Sequence, residues 1–408
     1  MNFFAESRDS NTSQPTGQNN TSKSSVSDAT AVVTPCHPLP HPLNGVLSGI
    51  LPARPRQPCV PAVSCPRRGL ANADSLSHSC PMRMDTPQHT ITPPKPAPCI
   101  IVHNGALGDF ACAWPALHAI AQHHRIKRAG APLYFYGHSE RGQWLEKLGY
   151  LRCTPHVRRI IERLYAGIPT PEFARHNILW FCLHSPPSDA APHVTPLPAL
   201  TAGPDMHVTQ ALLHALHALG IQTDWDWRGA WRDAVGSWHG PDSRLVVLFP
   251  GAGHVMKRWP MQRFEHVACA LAAEGWEPLW VMGPAERDGG MSPPVGHRVH
   301  MPQSYRELVD LLCRVRLVIG NDCGPMHLAA MSQVPTLTIF GPADHRRWAP
   351  DRKRLLRADM PCSPCTLTTR DIHCTHTTPD GIPACLDALD TGSVLQMARM
   401  QLEATAEA

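Results

Sequence analysis

Within six residues of "GNDCGPMHLAA" the chain sets a carboxylate (Asp322), a thiol (Cys323), a glycine–proline turn (Gly324-Pro325) and an imidazole (His327). They follow the apolar run "LVIG" and precede an alanine-rich helical pattern. Asp322 there can cap the helix. Alternatively, the amides around Gly324, at the positive helix end, can receive a diphosphate, with His327 in the first turn within reach. Two further loops offer related chemistry. "FPGAGHVMKRWP" supplies Gly251, Ala252 and Gly253, where backbone can approach an anion closely, and Lys257 as a point charge for phosphate. "VMGPAERD" sets Glu286 just past a strand end, where a carboxylate can accept from ribose hydroxyls. Singly, these also read as a glycine turn with a surface lysine, a solvated glutamate and a packed histidine. Three of them at the ends of presumed parallel strands favour a binding site.

In the first half, "HNGALGDF" places Gly105 and Gly108 ahead of Asp109 at a helix start. Asp109 reads either as a helix cap or as a general base aimed into a cleft. A base works best with a pKa near the operating pH. The helix terminus pulls the carboxyl down, so burial must hold it up.

These loops need strands to present them. "CIIVH", "PLYFYG", "NILWFC", "RLVVLF", "EPLWVM", "LVIGN" and "TLTIF" are short apolar runs, and "FACAWPALHAIAQHH", "HVTQALLHALHALGI", "FEHVACALAAEGW" and "YRELVDLLCRVR" carry helical spacing. Strands alternating with helices in both halves predict an α/β fold of two parallel-sheet, Rossmann-like domains facing a cleft, over 98–240 and 241–408. Asp224 to Asp242, with its Trp, Gly and Pro, reads as the linker. Residues 1–97 are rich in Ser, Thr, Asn, Gln and Pro without sustained period, and predict a disordered tail. A start at Met82 or Met84 would begin just ahead of the first strand.

The net charge of +4 fits an anionic ligand or membrane surface and gives no nucleic-acid signature. No apolar run approaches the roughly 20 residues of a membrane span. "MNFFAESRDSNTSQ" has neither a basic nor an apolar signal region, so the expected location is cytoplasmic, with reduced thiols.

Together, "GALGDFACAWPAL", "PGAGHVMKRWP", "GPAERD", "LVDLLCRVRLVIGNDCGPMHLAAMSQVPTLTIFGPADHRRWAP" and "PCSPC" closely resemble the heptosyltransferases, glycosyltransferase family 9 of the GT-B fold, across about residues 99–390. The resemblance implies an ADP-activated heptose donor, inversion at the anomeric carbon, and a hydroxyl acceptor on the lipopolysaccharide core. That acceptor implies peripheral contact with the inner membrane. By matching position, Asp109 is the base, Lys257 a diphosphate contact, Glu286 a nucleoside ligand, and Asp322, Gly324 and His327 line the donor site. Gly251, Ala252, Gly253, Cys323 and Pro325 lie in the same loops. No D-x-D pair stands in a suitable place, and the resemblance to GT-B enzymes of this kind implies catalysis without a divalent metal or other cofactor.

Cys323 stands where the family usually has Ser or Thr, losing a hydroxyl donor. His103-Asn104 replaces the basic residue common before the first loop, and the first domain is short. Arg152, Arg158, Arg159 and Arg163, at near-helical spacing, suit an anionic acceptor or membrane surface, or simply a solvated face. Rival readings are transfer to a protein or other glycan, a nucleotide-sugar-binding scaffold without turnover, and a GT-B sugar-nucleotide epimerase.

Within residues 361–385, "PCSPCTLTTRDIHCTHTTPDGIPAC" carries Cys362, Cys365, Cys374 and Cys385, suited to a structural zinc or iron site or to free thiols. His373 or His376 could replace one ligand.

Overall fold

Cys99–His103 (β1) is buried along its whole length, as a central parallel strand must be when helices cover both its faces. The computed structural model describes residues 97–404 apart from 169, 184–193, 201–204, 237–243, 284–285, 288–289 and 367–371. Except for Ala97, the tail expected over 1–97 lies outside the described residues.

The first half runs β1, α1 (Leu107–Lys127), β2 (Leu133–Gly137), α2 (Ser139–Glu146), β3 (Leu151–Arg152), α3 (Pro155–Tyr165), β4 (Asn177–Cys182), β5 (Val194–Pro198), α4 (Val208–Ala218) and α5 (Trp227–Val235). The second half runs β6 (Leu245–Phe249), α6 (Met261–Ala273), β7 (Glu277–Val281), β8 (Val299–His300), α7 (Tyr305–Leu312), β9 (Leu317–Asn321), α8 (Gly324–Met331) and β10 (Thr336–Phe340). It closes with α9 (His345–Trp348), β11 (Leu355–Arg357), α10 (Ala384–Asp387) and α11 (Thr391–Ala404).

All strand pairs are parallel, in two sheets ordered β3-β2-β1-β4-β5 and β11-β10-β9-β6-β7-β8. In the first sheet the chain moves outward from β1 to β3, then returns to β1's other side with β4. The second sheet reverses in the same way between β6 and β9. Open parallel sheets bind ligands at the carboxyl ends of the strands flanking such a reversal. The loops after β1, β6 and β9 stand at these two points; the first leads into the α1 turn that carries Asp109, and the other two hold Lys257 and Asp322.

The expected linker is different. Residues Trp227–Val235 form α5, whose N-cap Asp226 accepts from Gly229 N–H at 3.0 Å and which ends on Gly236 in the left-handed region (φ 74°). Trp231 is fully buried, edge-on to Trp114 at 5.0 Å and to Trp144 at 4.9 Å, and its Nε1–H donates to Ser332 Oγ at 2.9 Å. Trp and Gly, loop signals in isolation, here seat a helix because tryptophans from α1 and α2 give it an apolar bed. One continuous apolar cluster joins Phe110, Trp114 and Trp144 to Trp231 and on to Leu312, Met326 and Leu328 of the second half. The two sheets are thus cemented by side chains of both. Strand β5, "VTPLP", escapes the apolar-run pattern because of its prolines, which an edge strand tolerates.

Candidate active site

The helix α1 starts at Ala106, which offers no side-chain cap. Asp109, three residues on, supplies one instead, its Oδ2 accepting from Ala106 N–H at 2.7 Å. This folds the carboxylate back over the Gly105 loop, where a Cβ on Gly105 would stand 2.7 Å from Asp109 Cβ and 2.8 Å from Oδ2. Only glycine leaves that room. Burial raises the Asp109 pKa above the ordinary carboxylate value, against the lowering pull of the Ala106 bond and of His327, Arg141 and Lys257. The burial needed to offset the helix terminus is therefore present.

Gly108 serves a different purpose from the tight loop expected of it. It lies inside α1, and a Cβ there would meet His327 Cδ2 at 3.1 Å; one on Gly324 would meet Leu107 Cβ at 2.9 Å and Gly108 N at 3.1 Å. Two glycines let the N-terminal turns of α1 and α8 abut, so that a loop from each sheet faces the other.

Across that contact, Asp322 does not cap α8. The N-cap is Cys323, without a side-chain bond, and Pro325 occupies the first turn, where its missing N–H costs nothing. Asp322 instead receives Lys257 Nζ at 2.6 Å on Oδ2 and stands 3.8 Å from His327 Nε2 through Oδ1. Burial alone would raise the Asp322 carboxyl; Lys257 and His327 outweigh it and hold the group below its usual range. On the other side of the imidazole, His327 Nδ1 lies 3.4 Å from Cys112 Sγ of α1. Burial works against the His327 charge, yet Cys112 and Asp322 overcome it and lift its pKa to about 10. Lys257 and His327 therefore flank the Asp322 carboxylate in one buried group. Burial pushes the Cys323 thiol up to about 12, so it stays neutral there.

Gly251 and Ala252 are buried and Gly253 is exposed with open space around its Cα. Glu286 folds over Gly251, which leaves no room for a Cβ, and its Oε2 accepts from Gly283 N–H at 2.8 Å. Gly251 thus admits a protein carboxylate.

The sequence model described as Glycosyltransferase family 9 (heptosyltransferase) matches residues 217–376, which contain the Lys257–Asp322–His327 group. Residues 217–376 are thus similar to glycosyltransferase family 9. It is 33% identical over 120 residues to lipopolysaccharide heptosyltransferase 3 of Escherichia coli, 27% of this chain and 35% of that one. With lipopolysaccharide heptosyltransferase 3 of strain K12, identity is 25% over 233 residues, 53% of this chain and 61% of the relative. These alignments span between about a third and three-fifths of each relative's length. In fold, the chain matches the E. coli ADP-heptose lipopolysaccharide heptosyltransferase II structure with a TM-score of 0.51 at 14% identity, over 76% of this chain and all of that one. The two-domain GT-B architecture expected from the sequence is thereby established.

Two polar residues of this site escaped the sequence reading. Asn321 is fully buried; its Oδ1 accepts from Trp259 N–H at 2.9 Å and its Nδ2 donates to Pro250 O at 2.7 Å, tying the loop after β6 to the end of β9. A polar residue closing a buried strand was the available signal. Arg141, from "HSERGQ", gave none. It is buried against the Gly105 loop and sends Nη1 to Gly105 O at 2.5 Å.

The arginine cluster lies elsewhere. Arg158, Arg159 and Arg163 are exposed on α3, and Arg152 pairs with Glu146. None of them is among the electrostatic partners of Asp109, Asp322 or His327. Cys362, Cys365 and Cys374 all act electrostatically on Cys385. Even so, among the described residues no three His, Cys, Asp or Glu side chains are grouped to hold a metal ion. The described thiols do not fit a ligand set as they stand. Nor does any helix among the described residues have the length and apolarity to cross a membrane.

Proposed function

We propose that the protein is an inverting glycosyltransferase that moves a heptose from an ADP-activated donor to a hydroxyl of a lipopolysaccharide core or related glycan. The observation that carries this reading is the buried carboxylate of Asp109, raised in pKa, at one strand-reversal point and faced by the buried Lys257–Asp322–His327 group at the other. Asp109 takes the proton of the acceptor hydroxyl as its oxygen attacks the anomeric carbon from the face opposite the diphosphate. The bond between that carbon and the diphosphate oxygen breaks, and its electron pair leaves with ADP. The growing charge is met by the His327 imidazolium, the Lys257 ammonium and the amides opening α8. Asp322 keeps both cations in place, and their charge needs no reorganisation during the step. Glu286 is assigned to the nucleoside, with Gly251, Ala252, Gly253, Cys323, Gly324 and Pro325 forming the donor loops. Residues 98–240 serve the acceptor and 241–408 the donor, the surface-facing arginines of α3 suiting a peripheral position at the inner membrane.

Calorimetric titration of ADP, UDP and GDP tests the donor assignment. The reading requires preference for ADP, weakened about tenfold or more in Lys257→Ala, as expected on losing a charged hydrogen bond. Preference for UDP or GDP would remove the heptose donor; binding of none of them would favour a scaffold without turnover. A structural zinc or iron at the four late cysteines would have to draw those thiols together, and elemental analysis of untagged protein decides that point. Metal far below one equivalent per chain rejects it.

A further inference from the structure

Arg141 is a charged residue only 5% exposed, and among the described residues none of its donors meets a carboxylate. Its Nη1 grips the carbonyls of Gly105 (2.5 Å) and Ala106 (3.3 Å), and its Nη2 reaches Tyr305 Oη at 3.4 Å. Its Nε has no hydrogen-bond partner among the described residues. The guanidinium lies 5.9 Å from the Phe110 ring centre and 5.5 Å from that of Tyr305, in cation–π range of both. Leaving a buried cation on neutral acceptors is costly, so the position is one that folding alone would fill better with an apolar side chain.

What Arg141 grips explains it. The Gly105–Ala106 carbonyls belong to the loop whose Ala106 N–H binds Asp109 Oδ2. Tyr305 opens α7 in the second half, and its N–H donates to Glu140 Oε2, the residue beside Arg141, at 2.7 Å. One guanidinium therefore touches the Asp109 loop on one side and the other sheet's domain on the other. We infer that Arg141 is a positioning residue of the proposed transfer: contact with Tyr305 holds it against the Gly105–Ala106 loop and so fixes Asp109 in place. This rests on the reading of Asp109 as the base. The docking of the two halves at α2 and α7 thus completes the base. An α7 that moves away releases Arg141, and the loop loses its clamp.

The charged groups acting on Asp109 are Arg141 from α2, His327 from α8 and Lys257 from the loop after β6. His103, which closes β1, is held neutral at pH 7 by burial and by Arg141, with its pKa down at about 4. Removing the Arg141 charge removes one of the three charges that lower it, so Asp109 should protonate at higher pH. The test is the pH profile of kcat for heptosyl transfer from ADP-heptose to heptose-deficient lipopolysaccharide, in Arg141→Gln, Arg141→Lys and Tyr305→Phe. Arg141→Gln should lose about 100-fold in kcat, as a misplaced base does, with donor affinity retained and the acid limb displaced upward. Arg141→Lys keeps the charge but not the fork; its kcat should fall with the limb unmoved. Tyr305→Phe keeps the ring and should lower kcat several-fold, which carries the test should Arg141→Gln fail to fold. A uniform loss in Arg141→Gln with an unmoved limb, or full activity in Tyr305→Phe, overturns the inference.

A second measurement separates this from failure of the function. The stability difference between wild type and Asp109→Asn, followed against pH by chemical denaturation, reports where Asp109 titrates in the fold. Arg141→Lys as background should leave that titration in place, and Arg141→Gln should move it up, whatever the enzyme transfers. No movement refutes the coupling even if transfer is confirmed. Full transfer by Asp109→Asn sinks the base and with it the role of Arg141 in transfer, and leaves the coupling of Arg141 to Asp109 standing.

Discussion

Asp109 and Asp322 occupy comparable places in the two halves: each follows a central strand, at a point where strand order reverses. Both are buried, yet their acidities move in opposite directions. Among the described residues the Asp109 carboxylate has one hydrogen-bond donor, Ala106 N–H, and its cations act from beyond contact. Asp322 has Lys257 at 2.6 Å and His327 at 3.8 Å. Burial disfavours a carboxylate in both places; a contacting ammonium reverses the sign in one. The first aspartate is left able to take a proton, and the second is locked as an anion that holds two cations.

The sharpest way to break this comparison is to neutralise each in turn. Asp109→Asn should cost about 10²–10⁴-fold in kcat, the usual range for a general base, while donor affinity stays. It should also raise Tm at neutral pH. A carboxyl whose pKa is raised in the fold contributes stability below its unfolded value, and that contribution is lost as pH rises through the folded value. Removing the ionised form therefore relieves the fold. Asp322→Asn should do the reverse and destabilise the protein by about 3–5 kcal/mol, because it strands Lys257 and His327 as buried cations. Chemical denaturation at pH 7 reads both, and equal signs for the two variants would refute the contrast.

The pH profile sharpens the same point from the cationic side. His327 is raised to about 10, so its contribution to stability is full below its ordinary pKa of 6.5 and lost as pH rises through 10. ADP affinity should fall over the upper part of that window, and a His327→Gln variant should lose the fall. A smaller effect is expected at the junction of the two regions. Gly324→Ala must push α8 from Leu107 and Gly108 and should cost about 1–3 kcal/mol with reduced transfer. Smallest of all, EDTA should leave turnover unchanged; activity that collapses and returns with Mg²⁺ or Mn²⁺ would require a metal at the donor.

Much of this was legible in the residues. Strand runs such as "CIIVH" and "LVIGN" carry their burial in their composition, and a parallel sheet fixes where the following loop must point. Asp109, Lys257, Asp322 and His327 could therefore be placed beyond strand ends, since local sequence sets strand, turn and helix start. What local sequence cannot encode is which side chain from another element arrives beside them. Lys257 looked free for phosphate, and only the tertiary structure puts it on Asp322. Gly108 read as a loop glycine until α8 was brought against it. Trp231 read as part of a linker until Trp114 and Trp144 gave it a bed. Arg141 carried no signal, because its meaning lies in a loop 36 residues before it and a tyrosine 164 residues after it. The sequence determined the fold class and the chemistry available at each strand end. Charge pairing, pKa and the joining of the two halves were decided by contacts between distant segments, because electrostatic interaction and packing depend on distance in space, to which sequence separation gives no measure.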